Sequence, residues 1–561
     1  MKSNLNCLSP LAADTNTLCL DGDPMDESRS IIHPNIDLEE SLRPLKFCRN
    51  ELSPISRLPV EILCKIFKFS ENQAQTPWTN FSQVSQHWRS SALSAPDLWT
   101  NIPLDHPRWA QEMLIRSKKA NLTANLTIPC HPSPKVIDPK INETVRSCLY
   151  EMDRIEKIDF RTIPGEALEE YFRDCPKSAP QLHTLYISSD GKAFSIDDDF
   201  LYDTELLRHV ELINCKISWN SQLLTGLTCL KLQDSLKANS SIVQVLHALQ
   251  RMPALAELYL GDSIPDDSEG LSTYSDIDLP CLRILDISSG VSALTAILRH
   301  ITFPCCASLN LICRIDQSTH ISNFLSVLAT KFLLTLVIRS LSLQVPNTIT
   351  HDLKFYLWTT ALIEDCFPAS QMSQSQLQLV LEWHPSQLPS YVEALTYAFD
   401  LMSLSSLTHL QISTSDHIDS QTWVMTFGML PLLEQVCVEK HTLSPFLEAL
   451  VYKTKGAEES EAAYRSVSFP KLRYIHLEGT EFYESLIDLL LDCLMERYER
   501  NAEIQVLRLD DCYDISSVVV ERLKEVVVDV IWDGLQQQFY GFFGHCLDSD
   551  YDSDSDTPST T

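Results

Sequence analysis

Glycine is scarce, with 13 in 561 residues, and neither G-x-x-x-x-G-K nor G-x-G-x-x-G occurs. Loops that cradle phosphates need glycines where backbone amides approach the ligand, so nucleotide-binding enzymes built on those turns are excluded. Positive charge is also short: 44 Lys and Arg stand against 75 Asp and Glu, a formal net charge of −31, and the longest basic run is "SKK" at 117–119. Such a field repels nucleic acid and other polyanions. No apolar run is long enough to span a bilayer; "VVVERLKEVVVDVIW" at 518–532 is broken by charges. The first 30 residues hold no stretch that would serve as a secretory signal. The 18 cysteines lack paired spacing, so they are expected to be reduced thiols in the cytoplasm or nucleus, where the sequons at 121–123 and 125–127 carry no meaning.

Recognisable chemistry is missing too. The carboxylates form no acid/base pair in sequence, and Cys305, Cys306 and Cys313 do not have metal-ligand spacing. His441 and His476 stand alone within apolar segments, where a single histidine is a packed or surface residue. No catalytic residue, metal or cofactor is expected.

What is present is apolar material, 44% of the chain, enough for a large core. Length alone predicts roughly three or four domains, unless repeats make one long domain. Residues 1–50 are poorly patterned, with one short helix possible at 36–45. Residues 51–100 differ. Pro59 and Glu61 suit the first turn of a helix, and Ile62, Leu63, Ile66 and Phe67 recur with helical period. Thr76 followed by Pro77 predicts a second helix over 76–93, on which Trp78, Phe81, Val84, Trp88 and Ala92 share a side. The two predict a helical hairpin, too small to bury all its apolar surface alone.

From 101 to 535 a pattern L-x-x-L-x-L recurs, followed three positions later by Asn, Cys or another small polar residue. Leu207, Val210, Leu212, Cys215 and Ile217 fit it throughout, as do segments starting at Leu433, Leu472 and Ile504 with His441, Thr480 and Cys512 in the polar slot. Starts at 155, 182, 207, 227, 255, 282, near 306 and 333 give gaps of 27, 25, 20, 28, 27, 24 and 27, within the roughly 20–29 residues of a leucine-rich repeat. The expectation is a leucine-rich-repeat-like α/β solenoid, each unit a short strand and a return helix. Return helices are expected in 240–252 and 482–498, and insertions at 345–375 and 452–468. Residues 536–561 are expected to be an acidic disordered tail ending in "DSDYDSDSDTPSTT", in which Ser549 and Ser553 each precede an acidic residue by three positions.

The two halves of 51–100 resemble the F-box motif, especially that of F-box proteins of mushroom-forming fungi. The residues carrying the likeness are Leu58, Pro59, Glu61, Ile62, Leu63, Ile66, Phe67, Phe81, Val84, Trp88, Arg89, Pro96, Leu98 and Trp99. The chain departs from the family at Ser85-Gln86-His87, where Cys-Lys is usual before Trp-Arg, and at the polar run Ser70–Gln73. The resemblance implies a non-catalytic substrate receptor of an SCF-type ubiquitin ligase. Leu58, Pro59, Ile62, Leu63, Ile66, Phe67, Val84 and Trp88 would bind the Skp linker subunit and through it a cullin, and the repeat region would bind a protein substrate. The alternative is a leucine-rich-repeat scaffold acting outside a cullin complex. Outward strand positions Arg208, His209, Glu211, Arg473, Tyr474, His476, Arg508 and Asp510 form the candidate substrate patch.

Overall fold

A computed structural model describes residues 52–74, 78–129, 137–235, 240–265, 274–315, 321–345, 352–361, 375–383, 391–413, 418–439, 443–451 and 467–536. The helix expected at 36–45, His441, most of the segment 452–468 and the acidic tail lie outside them. The chain divides into two compact units, Met1–Leu98 and Trp99–Thr561.

The first unit is helical. A 3₁₀ turn, Pro54–Arg57, leads through extended Leu58 into helix α1, Val60–Ala74. The Pro59 carbonyl accepts from the amides of Ile62 and Leu63 at 3.0 and 3.1 Å, which starts the helix. The second half is not one helix over 76–93. Trp78–Gln83 is 3₁₀, and helix α2 covers Gln86–Ser94. The break comes from Ser85. It is extended, and its hydroxyl accepts from the Trp88 amide at 3.1 Å, capping α2 from a position that the continuous apolar spacing masks. Ser85→Ala is expected to cost about 1 kcal/mol. Hydrogen exchange would report it as a roughly fivefold loss of protection over the amides of α2, and unchanged protection would remove the cap from the account.

Among the described residues, the second unit is built on one 17-stranded sheet. Its strands are β1 Asn101–Pro103, β2 Leu122–Thr127, β3 Ile155–Pro164, β4 Thr184–Asp190, β5 His209–Ile213, β6 Cys229–Gln233, β7 Glu257–Gly261, β8 Ile284–Gly290, β9 Ser308–Ile315, β10 Ser340–Gln344, β11 Asp352–Trp358, β12 Leu377–Trp383, β13 His409–Ser413, β14 Gln435–Glu439, β15 Tyr474–Glu478, β16 Val506–Asp510 and β17 Asp529–Trp532. From β1 to β9 each strand pairs in parallel with the next. The same holds from β13 to β17. The registers stack one leucine-type residue on the next: Leu185, Val210, Leu230, Leu258, Leu285 and Leu309 are consecutive partners and are buried. Parallel pairing requires a crossover between strands. The segments expected to supply two of them do so as helices Ile242–Gln250 and Glu484–Glu499.

Two expectations are corrected between β9 and β13. The unit predicted to start at Leu333 uses a later frame: Leu333–Thr335 is a 3₁₀ turn, and the strand lies at Ser340–Gln344, with Leu341 and Leu343 inward. The template matches twice in overlapping frames, from Leu333 and from Ile338, and the end of helix Ile321–Lys331 consumes the first. The segment 345–375 is not wholly an insertion, because it contains β11, which enters the sheet antiparallel to both β10 and β12. β12 then pairs with β9, and β10 with β13.

The turn after many strands replaces glycine with a short polar residue. Asn214, Asp234, Asp262 and Asp511 each follow a strand directly and have φ near +50°, and Gly479 holds the same position at +61°. Asn and Asp tolerate the left-handed region better than other side chains, which is how a chain so poor in glycine turns repeatedly. One residue on comes the polar slot. There Cys215, Ser235 and Cys512 donate to the carbonyls of Ile187, Leu212 and Leu477 on the preceding strand, at 3.6, 3.1 and 3.5 Å. Burial pushes the Cys215 and Cys512 thiols up to about 12, so they act as weak donors and not as nucleophiles.

Candidate docking site on the helical unit

Helix α1 carries two apolar stripes. At 100° per residue, Ile62, Ile66 and Phe69 centre about 110° away from Leu63 and Phe67. The hairpin uses the second stripe for itself: Leu63 and Phe67 have no exposed surface. Phe67 stacks on Phe81, with ring centroids 5.2 Å apart and planes 7° apart, and meets the Trp88 ring at 5.2 Å. Ala92 and Leu98 are buried with them, and the Cys64 thiol reaches the Ser91 carbonyl at 3.8 Å. Packing of this kind fixes the direction in which the first stripe faces.

That first stripe lies on the surface. Ile62 is 41%, Ile66 37% and Phe69 64% exposed, and Val84, in the turn before α2, is 56% exposed. Pro59 is exposed, and Leu58 and Trp88 are half-buried. Of the eight residues singled out from the sequence, Leu63 and Phe67 thus lie inside the hairpin, while Pro59, Ile62, Ile66 and Val84 lie outside it. The sequence pattern merged the two stripes because isoleucine, leucine and phenylalanine carry the same period whichever way they point. Phe69 was not singled out, although its place seven residues after Ile62 puts it on the outer stripe.

The candidate residues on the sheet fall into two groups. His209 and Glu211, 3.6 Å apart, stand on β5, and Arg208 is exposed just before it. Tyr474, His476, Arg508 and Asp510 stand on β15 and β16, with Arg473 just before β15. Nine strands separate β5 from β15, which is about 48 Å at 4.8 Å per strand. His476 is fully buried: its Nε2 meets Asp510 Oδ2 at 3.0 Å, and its Nδ1 lies 3.2 Å from Cys437 Sγ on β14. Burial pushes the His476 imidazole below its usual value, against the pull of Asp510. Arg508 Nε donates to the same Asp510 oxygen at 2.6 Å.

Nearer the start of the sheet, Asp159 on β3 is buried and accepts from Arg161 Nε at 2.7 Å and Lys157 Nζ at 2.9 Å. Arg161 also lies over the Tyr186 ring, 4.2 Å from its centroid. Burial alone would raise the Asp159 carboxyl, but the bonds from Arg161 and Lys157 outweigh it and hold the group below its ordinary value. A carboxylate with a depressed folded-state pKa stabilises fully above its unfolded value, about 3.9, and loses that contribution as the pH falls through the folded value. The stability gap between the native chain and Asp159→Asn is therefore expected to be constant above about pH 5 and to close on acidification. Urea midpoints measured against pH check this, and a gap that does not change with pH would remove the ionic account.

A family model described as F-box-like matches residues 55–104. The chain therefore carries an F-box-like domain over the stretch that contains the α1–α2 hairpin. No curated protein matches the chain. Among the described residues no helix is long and apolar enough to cross a membrane.

Proposed function

We propose that the chain is the substrate-recognition adaptor of an SCF-type ubiquitin ligase. The hairpin binds the Skp linker subunit and the sheet-bearing unit binds a protein substrate. The F-box-like domain supports the adaptor role. The observation that carries the docking assignment is the doubled stripe of α1: one half makes the hairpin's own core, and the other presents Ile62, Ile66 and Phe69 to solvent, while Val84 is exposed in the turn before α2. A hairpin gains nothing by exposing a stripe of large apolar side chains, whereas an interface concentrates its energy in such anchors.

In this reading Pro59, Ile62, Ile66 and Val84 touch the linker directly, and Leu58 and Trp88 flank them. Leu63 and Phe67 act through the hairpin they hold together. The linker bridges to a cullin, and the ubiquitin chemistry occurs on other subunits; this chain supplies proximity and no catalytic group. The second unit is read as a leucine-rich-repeat-like solenoid, supported by the recurring strands, left-handed turns and polar slots, with the polar strand face as the substrate surface. The chain would work in the cytoplasm or nucleus.

Co-expression of the full chain with a Skp linker subunit tests the reading. A stoichiometric complex on gel filtration is the expected result. Two separate peaks from folded proteins would overturn it and leave a leucine-rich interaction protein outside cullin complexes.

A further inference from the structure

Among the described residues, one group of side chains has the composition and closeness of a metal site: Cys437, His476 and Glu478, whose ligand atoms all lie within 4.8 Å of one another. Cys437 is on β14, and the other two are on β15. The strands pair so that Cys437 stands opposite His476, and Glu439 opposite Glu478. Residues two apart on a strand share a face, so thiol, imidazole and carboxylate meet on one side of the sheet.

We propose that Cys437, His476 and Glu478 bind a single Zn²⁺ ion. Three features beyond proximity favour this over a plain thiol–imidazole hydrogen bond. The first is the support behind the histidine. Its far nitrogen, Nε2, is 3.0 Å from Asp510 Oδ2, the carboxylate–histidine arrangement that orients imidazole ligands of metals and raises their basicity. With Nε2–H donating to Asp510, the Nδ1 lone pair points at the Cys437 sulfur, 3.2 Å away.

The second feature is charge. Glu439, Glu478 and Asp510 stand side by side on three adjacent strands, and like charges placed directly opposite destabilise a sheet. Arg508 compensates Asp510 and the Gln411 amide donates to Glu439, and a divalent cation at Glu478 would add to that compensation from the middle of the row. The third is ligand type. A thiolate, an imidazole and a carboxylate form a mixed soft and borderline set that suits zinc and not magnesium or calcium. At zinc–sulfur and zinc–nitrogen distances of about 2.3 and 2.0 Å, tetrahedral ligand atoms sit roughly 3.5 Å apart. Side-chain movement of about 1 Å therefore closes the group around an ion. The step balances: binding displaces the Cys437 thiol proton to solvent, the Nε2 proton stays on the imidazole as a hydrogen bond to Asp510, and the thiolate and the Glu478 carboxylate together match the charge of Zn²⁺. The ion would tie β14 to β15 at residues separated by 39 positions in the chain.

This inference is independent of the adaptor reading and is tested on the full chain whether or not it binds a linker. Chain purified under reducing conditions, stripped with chelator and reloaded with Zn²⁺ is analysed by mass spectrometry for metal content, and Co²⁺ loading is followed by absorption. The expected result is one metal per chain and a thiolate-to-cobalt charge-transfer band, both lost in Cys437→Ser. Asp510→Asn is expected to bind about 10- to 100-fold more weakly. Because Cys437→Ser alters a buried site, Glu478→Gln is measured beside it. That half-buried, near-isosteric change leaves the circular dichroism unaltered and is expected to weaken binding at least tenfold. No metal and no cobalt–thiolate band in the native chain would overturn the proposal. So would a band that persists in Cys437→Ser, or full affinity in a folded Glu478→Gln variant.

Discussion

A double variant, Ile62→Asp and Ile66→Asp, is expected to lose the Skp linker subunit while the chain melts as before. Both side chains are on α1 and more than a third exposed, and neither belongs to the inner cluster of Leu63, Phe67, Phe81 and Trp88. Polar substitution at exposed helix positions normally moves stability by no more than about 0.5 kcal/mol. At an interface the same change puts two carboxylates into desolvated pockets. Anchors of this kind are worth about 2 kcal/mol or more each, so affinity should fall about 100- to 1000-fold. Titration calorimetry with a purified linker subunit reads that fall, and hydrogen exchange across α2 confirms that the hairpin has survived. Retained affinity with an intact hairpin would mean that the outer stripe of α1 is not the docking surface.

Phe67→Ala should give the same loss of binding by the opposite route. Phe67 is wholly buried, stacked on Phe81 and in contact with Trp88. Truncating a buried phenylalanine costs about 3 to 5 kcal/mol. A hairpin of this size has little stability to spare, so the substitution should unfold it and expose the outer stripe's backbone. The measurement that separates the two variants is hydrogen exchange over 86–94: protection persists in the aspartate pair and vanishes in Phe67→Ala. Persisting protection in Phe67→Ala would show that the ring cluster does not hold the hairpin together.

These paired outcomes mark what could be read from the sequence and what could not. The Leu-Pro step, the helical period and the Trp-Arg pair located the hairpin. Periodicity gives the angle between side chains but not which of two stripes meets a neighbour; that depends on where Phe81 and Trp88 arrive, and therefore on the Ser85 cap. On the sheet, L-x-x-L-x-L located β3 to β9 and β14 to β16, because inward leucines repeat with the strand's own alternation, and it gave no start for β1, β2, β12 or β17. It failed where Leu333 and Ile338 open overlapping frames and where β11 runs backwards. The recurring Asn or Asp two residues beyond the third apolar position of the pattern was visible in the sequence, and its meaning came only with φ. The association of Cys437 with His476 and Asp510 depends on register across three strands, and local spacing cannot report it.

The reversal at β10–β12 bears on how the chain is made. Strands up to β9 pair with the strand before them, so each can join the sheet as soon as it leaves the ribosome. β9's next partner is β12, with Leu309 opposite Leu377, and β12 is translated only after β10 and β11. Until residue 383 has emerged, the growing sheet ends in an open parallel edge, and β10 waits for β13 on its other side. The order of pairing therefore leaves the outer edge of β9 without its neighbour until β12 has been made, and an open edge is where backbone can pair with other chains.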